Sequence, residues 1–215
     1  MSRLEIRPYR SGDRQAVHAI GADTAFFGEP VEAELEDRRL FCDLFLAYYT
    51  DREPEHAWVA CQEERVTGFL LGCLDGRRQR RALLWSIVPR VLGRMPRRGY
   101  RLGRRTFRFA GAMVGAWLRG EVPPSFTGRY PAHLHLNVAA PWRGRGVGRR
   151  LLEAYLAQLR ALAVPGVHLH TTSRNEAACR LYESAGFRLL DQRPTRLWAG
   201  LLDGPVQRRC YGLRF

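Results

Sequence analysis

The sequence predicts an α/β protein: a mixed sheet with helices on both faces, interrupted by an arginine-rich helical insertion. Three observations predict it. Short alternating segments that read as strands are followed by segments of helical period, in strand, helix, strand, helix order. A glycine-rich turn joins one such strand directly to the most strongly patterned helix. Basic charge is concentrated in one stretch, 76–130, that breaks the alternation.

Leu4, Ile6 and Pro8 open the first strand, and Ser11, Gly12 and Asp13 read as its turn and a helix N-cap. A short helix follows through Val17 and Ile20. A second is expected over 32–48, with Leu35, Leu40, Leu44 and Phe45 at near-helical spacing, and Pro54 ends it. Segments 57–62 and 66–74 form a predicted hairpin with Glu63 and Glu64 at its turn. The insertion holds two arginine-rich segments, 78–92 and 101–118, separated by Gly93, Pro96 and Gly99 and closed by Pro123 and Pro124. Phe107, Met113, Val114 and Trp117 are expected to line one helical face opposite the arginines. Alternation resumes as a strand over 133–138, and a helix over 148–162 carries Leu151, Leu152, Tyr155, Leu156 and Leu159 on one side. A strand over 167–171 and a helix over 176–185, stopped by Gly186, come next. Two further strands are centred on Leu189–Leu190 and Cys210–Tyr211.

At 215 residues the chain can bury a sizeable core, and 1–215 reads as one domain. Residues 1–8 carry no signal-like apolar stretch, and the longest apolar run, 109–118, is too short to span a bilayer. The five cysteines (Cys42, Cys61, Cys73, Cys179, Cys210) are odd in number and lack C-x-x-C spacing. That pattern implies reduced, buried thiols, a cytoplasmic location and no zinc site. The net charge is +14, and every Lys or Arg is an arginine. Within 76–130 stand 14 arginines against one acid, Glu121, so almost the whole imbalance lies there. A local device is implied rather than general nucleic-acid affinity.

The loop after the 133–138 strand carries the chemistry. In Val138-Ala139-Ala140-Pro141-Trp142-Arg143-Gly144-Arg145-Gly146-Val147-Gly148-Arg149 a strand ends, a glycine turn follows and a helix begins. Amides at a helix start have no helical acceptor and point toward one place, with the positive end of the helix dipole behind them. Glycines let the backbone approach closely, so the loop suits a diphosphate, with Arg143, Arg145 and Arg149 adding charge. A P-loop is excluded because the chain has no lysine, and the dinucleotide fingerprint fails because Arg149 follows Gly148.

The pattern [RQ]-x-x-G-x-[GA] does fit, at Arg143, Gly146 and Gly148, and resembles the pyrophosphate loop of the GNAT superfamily of N-acetyltransferases. The run from Asn175 to Phe187 resembles that family's second signature, N-x-x-A-x-x-L-Y-E-x-x-G-F. The resemblance covers most of the chain outside 76–130. It implies a GNAT-like, mostly antiparallel central sheet and acetyl-CoA as cosubstrate. The diphosphate would be held by Arg143, Gly144, Arg145, Gly146, Val147, Gly148 and Arg149. The strands at 134–138 and 167–171 would splay to admit the pantetheine arm against the backbone of Asn137 and Val138, and Asn175 would bind cofactor. Tyr182 matches the tyrosine that protonates the departing thiolate; the alternative is a core tyrosine packed beside Leu181 and Phe187. Direct attack by a primary amine, on a small molecule or a peptide, is the implied reaction.

Attack needs a neutral amine, so a base must remove a proton. His133 and His135, two apart on a strand, share a face and resemble a histidine pair of arylalkylamine N-acetyltransferases. The alternative is two ordinary strand histidines. His168 and His170 repeat the spacing, but no carboxylate or cysteine completes a metal set, and none is expected. For the insertion three readings stay open: a helical cover with its aromatic face packed inward, recognition of an acidic or phosphorylated acceptor, or contact with an anionic membrane or nucleic acid. The last would suit a binding protein in which catalysis is secondary. A strand over 206–215 could pair across a homodimer.

Overall fold

The computed structural model describes residues 4–95, 99–121, 126 and 128–215. Met1, Ser2 and Arg3, the expected break at Pro96 and the closing Pro123 and Pro124 lie outside the described residues.

Strand β1 (Glu5–Pro8) leads into a tight turn whose Asp13 accepts both ends of the Arg7 guanidinium, at 2.7 and 2.8 Å, and the Arg10 amide. Those bonds hold the Asp13 carboxyl below its ordinary range, the Arg7 pair contributing most. Helix α1 (Arg14–Asp23) follows and buries Val17 and Ile20. The single helix expected over 32–48 is instead a one-turn Val31–Ala33 segment, then α2 (Arg38–Phe45) and α3 (Ala47–Asp51). The acids between them are recruited elsewhere: Glu34 pairs with Arg108, Glu36 accepts amides near Thr106, and Asp37 caps α2 at the Leu40 amide. Tertiary contacts therefore override the local helical period.

Strands β2 (Ala57–Gln62) and β3 (Arg65–Cys73) form the expected hairpin, with Glu63 and Glu64 both left-handed at φ 49° and 64° as a two-residue turn of this hand requires. The insertion includes α4 (Gly76–Ala82), a wide π-turn (Leu83–Ile87), α5 (Val88–Arg94) and α6 (Arg104–Leu118). Strand β4 (Ala132–Val138), α7 (Val147–Ala161), β5 (Gly166–Thr172), α8 (Glu176–Ser184), β6 (Arg188–Thr195) and β7 (Val206–Arg214) complete the chain. From β4 to α8 every boundary lies within one residue of expectation.

The strands form one seven-stranded sheet, ordered β1-β2-β3-β4-β5-β7-β6. All neighbours are antiparallel except β4 and β5, so the sheet is mixed and mostly antiparallel. One face packs under α1, α2 and the insertion, through Val17, Tyr49, Phe69 and Leu71. The other packs under α7 and α8, through Leu134, Leu151, Tyr155 and Leu169. Tyr155 presses so close to β3 that a Cβ at Gly72 would meet its ring at 2.3 Å. Its hydroxyl donates to the Cys73 and His133 carbonyls, locking α7 beneath the β3–β4 pair.

Two expectations are corrected. β7 is bonded on both sides, to β5 and β6, so 206–215 offers no free edge to a second copy. The face of α6 bearing Phe107, Val114 and Trp117 is not packed inward: Phe107 and Trp117 are each 67% exposed. The helix instead buries Thr106, Phe109 and Ala116, turned away from Phe107 and Val114, with Trp117 on the flank between the two sides. Among the described residues no helix is long and apolar enough to cross a membrane.

Candidate active site

β4 and β5 run parallel but pair only at Ala132 with Val167 and at His133 with His168. Beyond His133 they part. The Ala139 amide donates to Thr67 on β3. Because amide directions alternate along a strand, those of Leu136 and Val138 face the gap, while that of Asn137 faces β3. The Val138 carbonyl confirms the direction by accepting Arg143 Nε at 3.1 Å. Of the two backbones expected to line the gap, Val138 does so. Asn137 turns its amide toward β3 and reaches the cavity with its side chain, whose Nδ2 donates to Thr24 Oγ1 at 2.7 Å.

The parting opens a cavity of about 620 Å³. One end is the start of α7, where Gly144 and Gly146 stand at φ +73° and +75°, a left-handed backbone suited to glycine. The Arg150 amide is the first to reach a helical acceptor, Gly146 O, and no side chain caps the helix. The amides of Val147, Gly148 and Arg149 are thus left for a ligand, at the positive end of a 15-residue helix. Arg143, Gly144, Gly146, Val147, Gly148 and Arg149 all line the cavity, as do Val138, Asn137 and Asn175. Arg145 does not; its guanidinium stacks over Trp142 at 5.1 Å. Asn175 caps α8 through Oδ1 on the Ala178 amide.

Tyr182, on α8, is buried and lines the same cavity while its ring rests 5.7 Å from that of Phe187. It therefore holds the packing position and the cavity position at once. Burial raises its pKa, keeping the phenol protonated, the form that can donate.

Across the gap the four strand histidines form one cluster: His133 lies 4.7 Å from His135 and 5.1 Å from His168, and His168 lies 5.5 Å from His170, ring to ring. Tyr49 approaches His133 Nδ1 at 3.4 Å and stands edge-on to His135. The Nδ1–H of His168 donates to the Tyr130 carbonyl at 2.7 Å. Burial lowers all four pKa values, His133 well below the usual range, His135 to about 4 and His170 to about 3. The rings are neutral at pH 7, and the same burial makes each a weaker base than a free imidazole. His135 and His170 line the cavity, whereas His133 sits behind them. Among the described residues no group of three or more His, Cys, Asp or Glu could hold a metal.

The cavity's remaining wall went unread in the sequence. Thr24, Phe27 and Gly28 come from the turn after α1, and Trp198 comes from the β6–β7 connection. Phe27 is left-handed at φ 57° and meets Trp198 edge-on at 5.2 Å. The signal was there in Phe27-Gly28-Glu29-Pro30, a turn-forming string. Thr172 Oγ1, also at the cavity, is buried without a hydrogen-bond partner.

The model of the acetyltransferase (GNAT) family matches residues 108–187. The crystal structure of SsHAT is 32% identical and superposes with a TM-score of 0.74, over 98% of this chain and 98% of that one. This chain belongs to the GNAT family. The mycothiol acetyltransferase of Nocardiopsis dassonvillei is 48% identical over 56 residues, 26% of this chain and 17% of that one. The chain spans less than two thirds of the length of the curated relatives it matches. The fold is shared with yncA of Salmonella typhimurium, a structure with its cofactor acetyl-CoA, at 19% identity and a TM-score of 0.58 over 98% of this chain and 93% of that one. In this GNAT protein the glycine turn and the diverging strands meet at one cavity.

Proposed function

We propose that this GNAT protein is an acetyl-CoA-dependent N-acetyltransferase acting on a primary amine in a ternary complex. The carrying observation is the parting of β4 and β5 over a cavity that ends at the uncapped start of α7. Acetyl-CoA would supply the acetyl thioester. The Val147, Gly148 and Arg149 amides would hold its diphosphate, Leu136 and Val138 would offer amides and carbonyls to its pantetheine arm, and Thr172 Oγ1 and Asn175 are polar groups within reach. Tyr182 would hold the proton destined for the leaving sulfur. His135, with His133 behind it on Tyr49, would accept the proton of the incoming amine.

Among the described residues, no Asp or Glu lines the cavity. A polycationic acceptor would find no counter-charge there, so the acceptor class is a monoamine, and Phe27 and Trp198 suit an apolar or aromatic body. Five buried free thiols fit a reducing, cytoplasmic setting. The test is calorimetry with CoA and acetyl-CoA, followed by thiol release across a panel of mono- and polyamines. Saturable binding and turnover with monoamines are expected; a folded protein with affinity for neither CoA species overturns the assignment.

A further inference from the structure

The insertion carries an apolar surface that the active site does not use. On α6 the inward side is Thr106, Phe109 and Ala116; the side turned away presents Phe107, Val114 and Leu118, and Trp117 stands exposed on the flank. These four are 67%, 57%, 72% and 67% exposed. A helix resting on a protein normally turns its polar side to water, and this one turns an apolar side outward. The α4–α5 run repeats the feature with Trp85, 82% exposed, and with Leu84 and Leu92. Arginines border both, among them the exposed Arg81, Arg90 and Arg104.

We propose that the insertion docks this protein on an anionic lipid bilayer, with Phe107, Val114, Trp117 and Leu118 seated at headgroup depth and the arginines on lipid phosphates. Charge complementarity selects the occupant. With 14 arginines and one glutamate in 76–130, the surface repels a second copy of itself, so self-pairing through these faces is opposed. Nucleic acid would take the arginines and stack the aromatics but leave Leu84, Val114 and Leu118 in water. The bilayer interface accommodates both sets, because tryptophan, phenylalanine and leucine enter it while arginine stems snorkel to its surface. The docked helix also forms part of the cavity's support. Phe109, on the side away from the bilayer, meets Phe26 at 5.5 Å and Trp198 at 6.2 Å, and both of these line the cavity. A bilayer-seated α6 would hold the acceptor end of the cavity close to the membrane surface.

The experiment is cosedimentation of the full chain with vesicles of phosphatidylcholine, with and without phosphatidylglycerol, together with tryptophan emission. Partition is expected only with phosphatidylglycerol present, weakening as salt rises, with a blue shift from Trp85 and Trp117. Arg81→Gln, Arg90→Gln and Arg104→Gln together should weaken partition about a hundredfold, near fivefold for each charge. Phe107→Ser, Val114→Ser, Trp117→Ser and Leu118→Ser together should weaken it at least about tenfold. All seven side chains are exposed, so thermal melting of both variants should match the parent and separate lost docking from lost folding. Four results each overturn the proposal: no partition of the folded parent at low salt, partition that neither variant weakens, a lipid-free dimer that the serine variant dissolves, or tighter binding to duplex DNA than to vesicles at equal salt.

Discussion

At the scale of single residues, Tyr182 and Gly146 separate chemistry from binding. Tyr182 has a phenol held protonated by burial and a ring already fixed against Phe187. Removing only its hydroxyl leaves that packing in place. Under the proposed assignment, Tyr182→Phe should lower turnover by about a hundredfold while the CoA dissociation constant moves less than about twofold. Steady-state kinetics beside calorimetry reads both, and equal turnover would remove Tyr182 from the chemistry. Gly146 tests the reverse. At φ +75° an added Cβ meets no neighbouring atom, so its cost is conformational alone, about 1 kcal/mol. Gly146→Ala should lower the melting temperature by about 2–4 °C and weaken CoA binding more than it slows turnover at saturation. Calorimetry across the two variants then shows opposite patterns.

At the scale of elements, the β4–β5 divergence and the histidine cluster each carry a measurable signature. Leu136 and Val138 have amides without strand partners, whereas Asn137 faces β3. Hydrogen exchange should therefore be fast at 136 and 138 and slow at 137 in the free protein, with CoA protecting the first two. Four histidines on the two strands are neutral because burial lowers their pKa values, His135 to about 4 and His170 to about 3. Above about pH 6.5 both folded and unfolded chains leave them neutral, and they contribute no slope. Between that pH and the folded values the unfolded chain binds protons that the folded one resists. Stability must fall as the pH falls, by up to about 1.4 kcal/mol per pH unit for each histidine. Melting from pH 7 to 4.5 should show this, and His135→Asn should flatten it. The sequence shows these strands and their shared histidine face because alternation is a local property, and α7 because its apolar stripe is unbroken from Leu151 to Leu159. It hides the Phe27–Trp198 wall, since those residues meet only after β6 and β7 bring the 196–205 connection back over α1. It misstates 32–48 for a similar reason, because Glu34 and Glu36 are engaged by partners some 70 positions away.

At the scale of the whole molecule, two of the ties between α6 and the body separate the insertion from the site. Gly103 at the start of α6 has no side chain with which to cap it. Glu36, from the segment before α2, does so at a distance, accepting the amides of Gly103 at 3.1 Å, Arg105 at 2.9 Å and Thr106 at 3.0 Å, with the Thr106 hydroxyl as a further donor. Those bonds, the hydroxyl foremost, hold the Glu36 carboxyl down to about 2, so the cap stays ionised through mild acid. Phe109 against Phe26 and Trp198 is the apolar counterpart of this tie. The two attachments differ in what they touch, since Phe26 and Trp198 line the cavity and Glu36 does not. Glu36→Ala should therefore loosen α6 without reaching the α7 end of the cavity. Exchange over Arg104–Leu118 is expected to quicken by about tenfold, as a lost N-cap requires, while exchange over Val147–Ala161 and the affinity for CoA stay unchanged. Phe109→Ala should quicken the same helix and also free Trp198, visible as a red-shifted emission. Unchanged exchange in α6 after Glu36→Ala would mean that the remaining ties, among them Arg108 on Glu34 and Phe109 on Phe26, hold the helix without the cap.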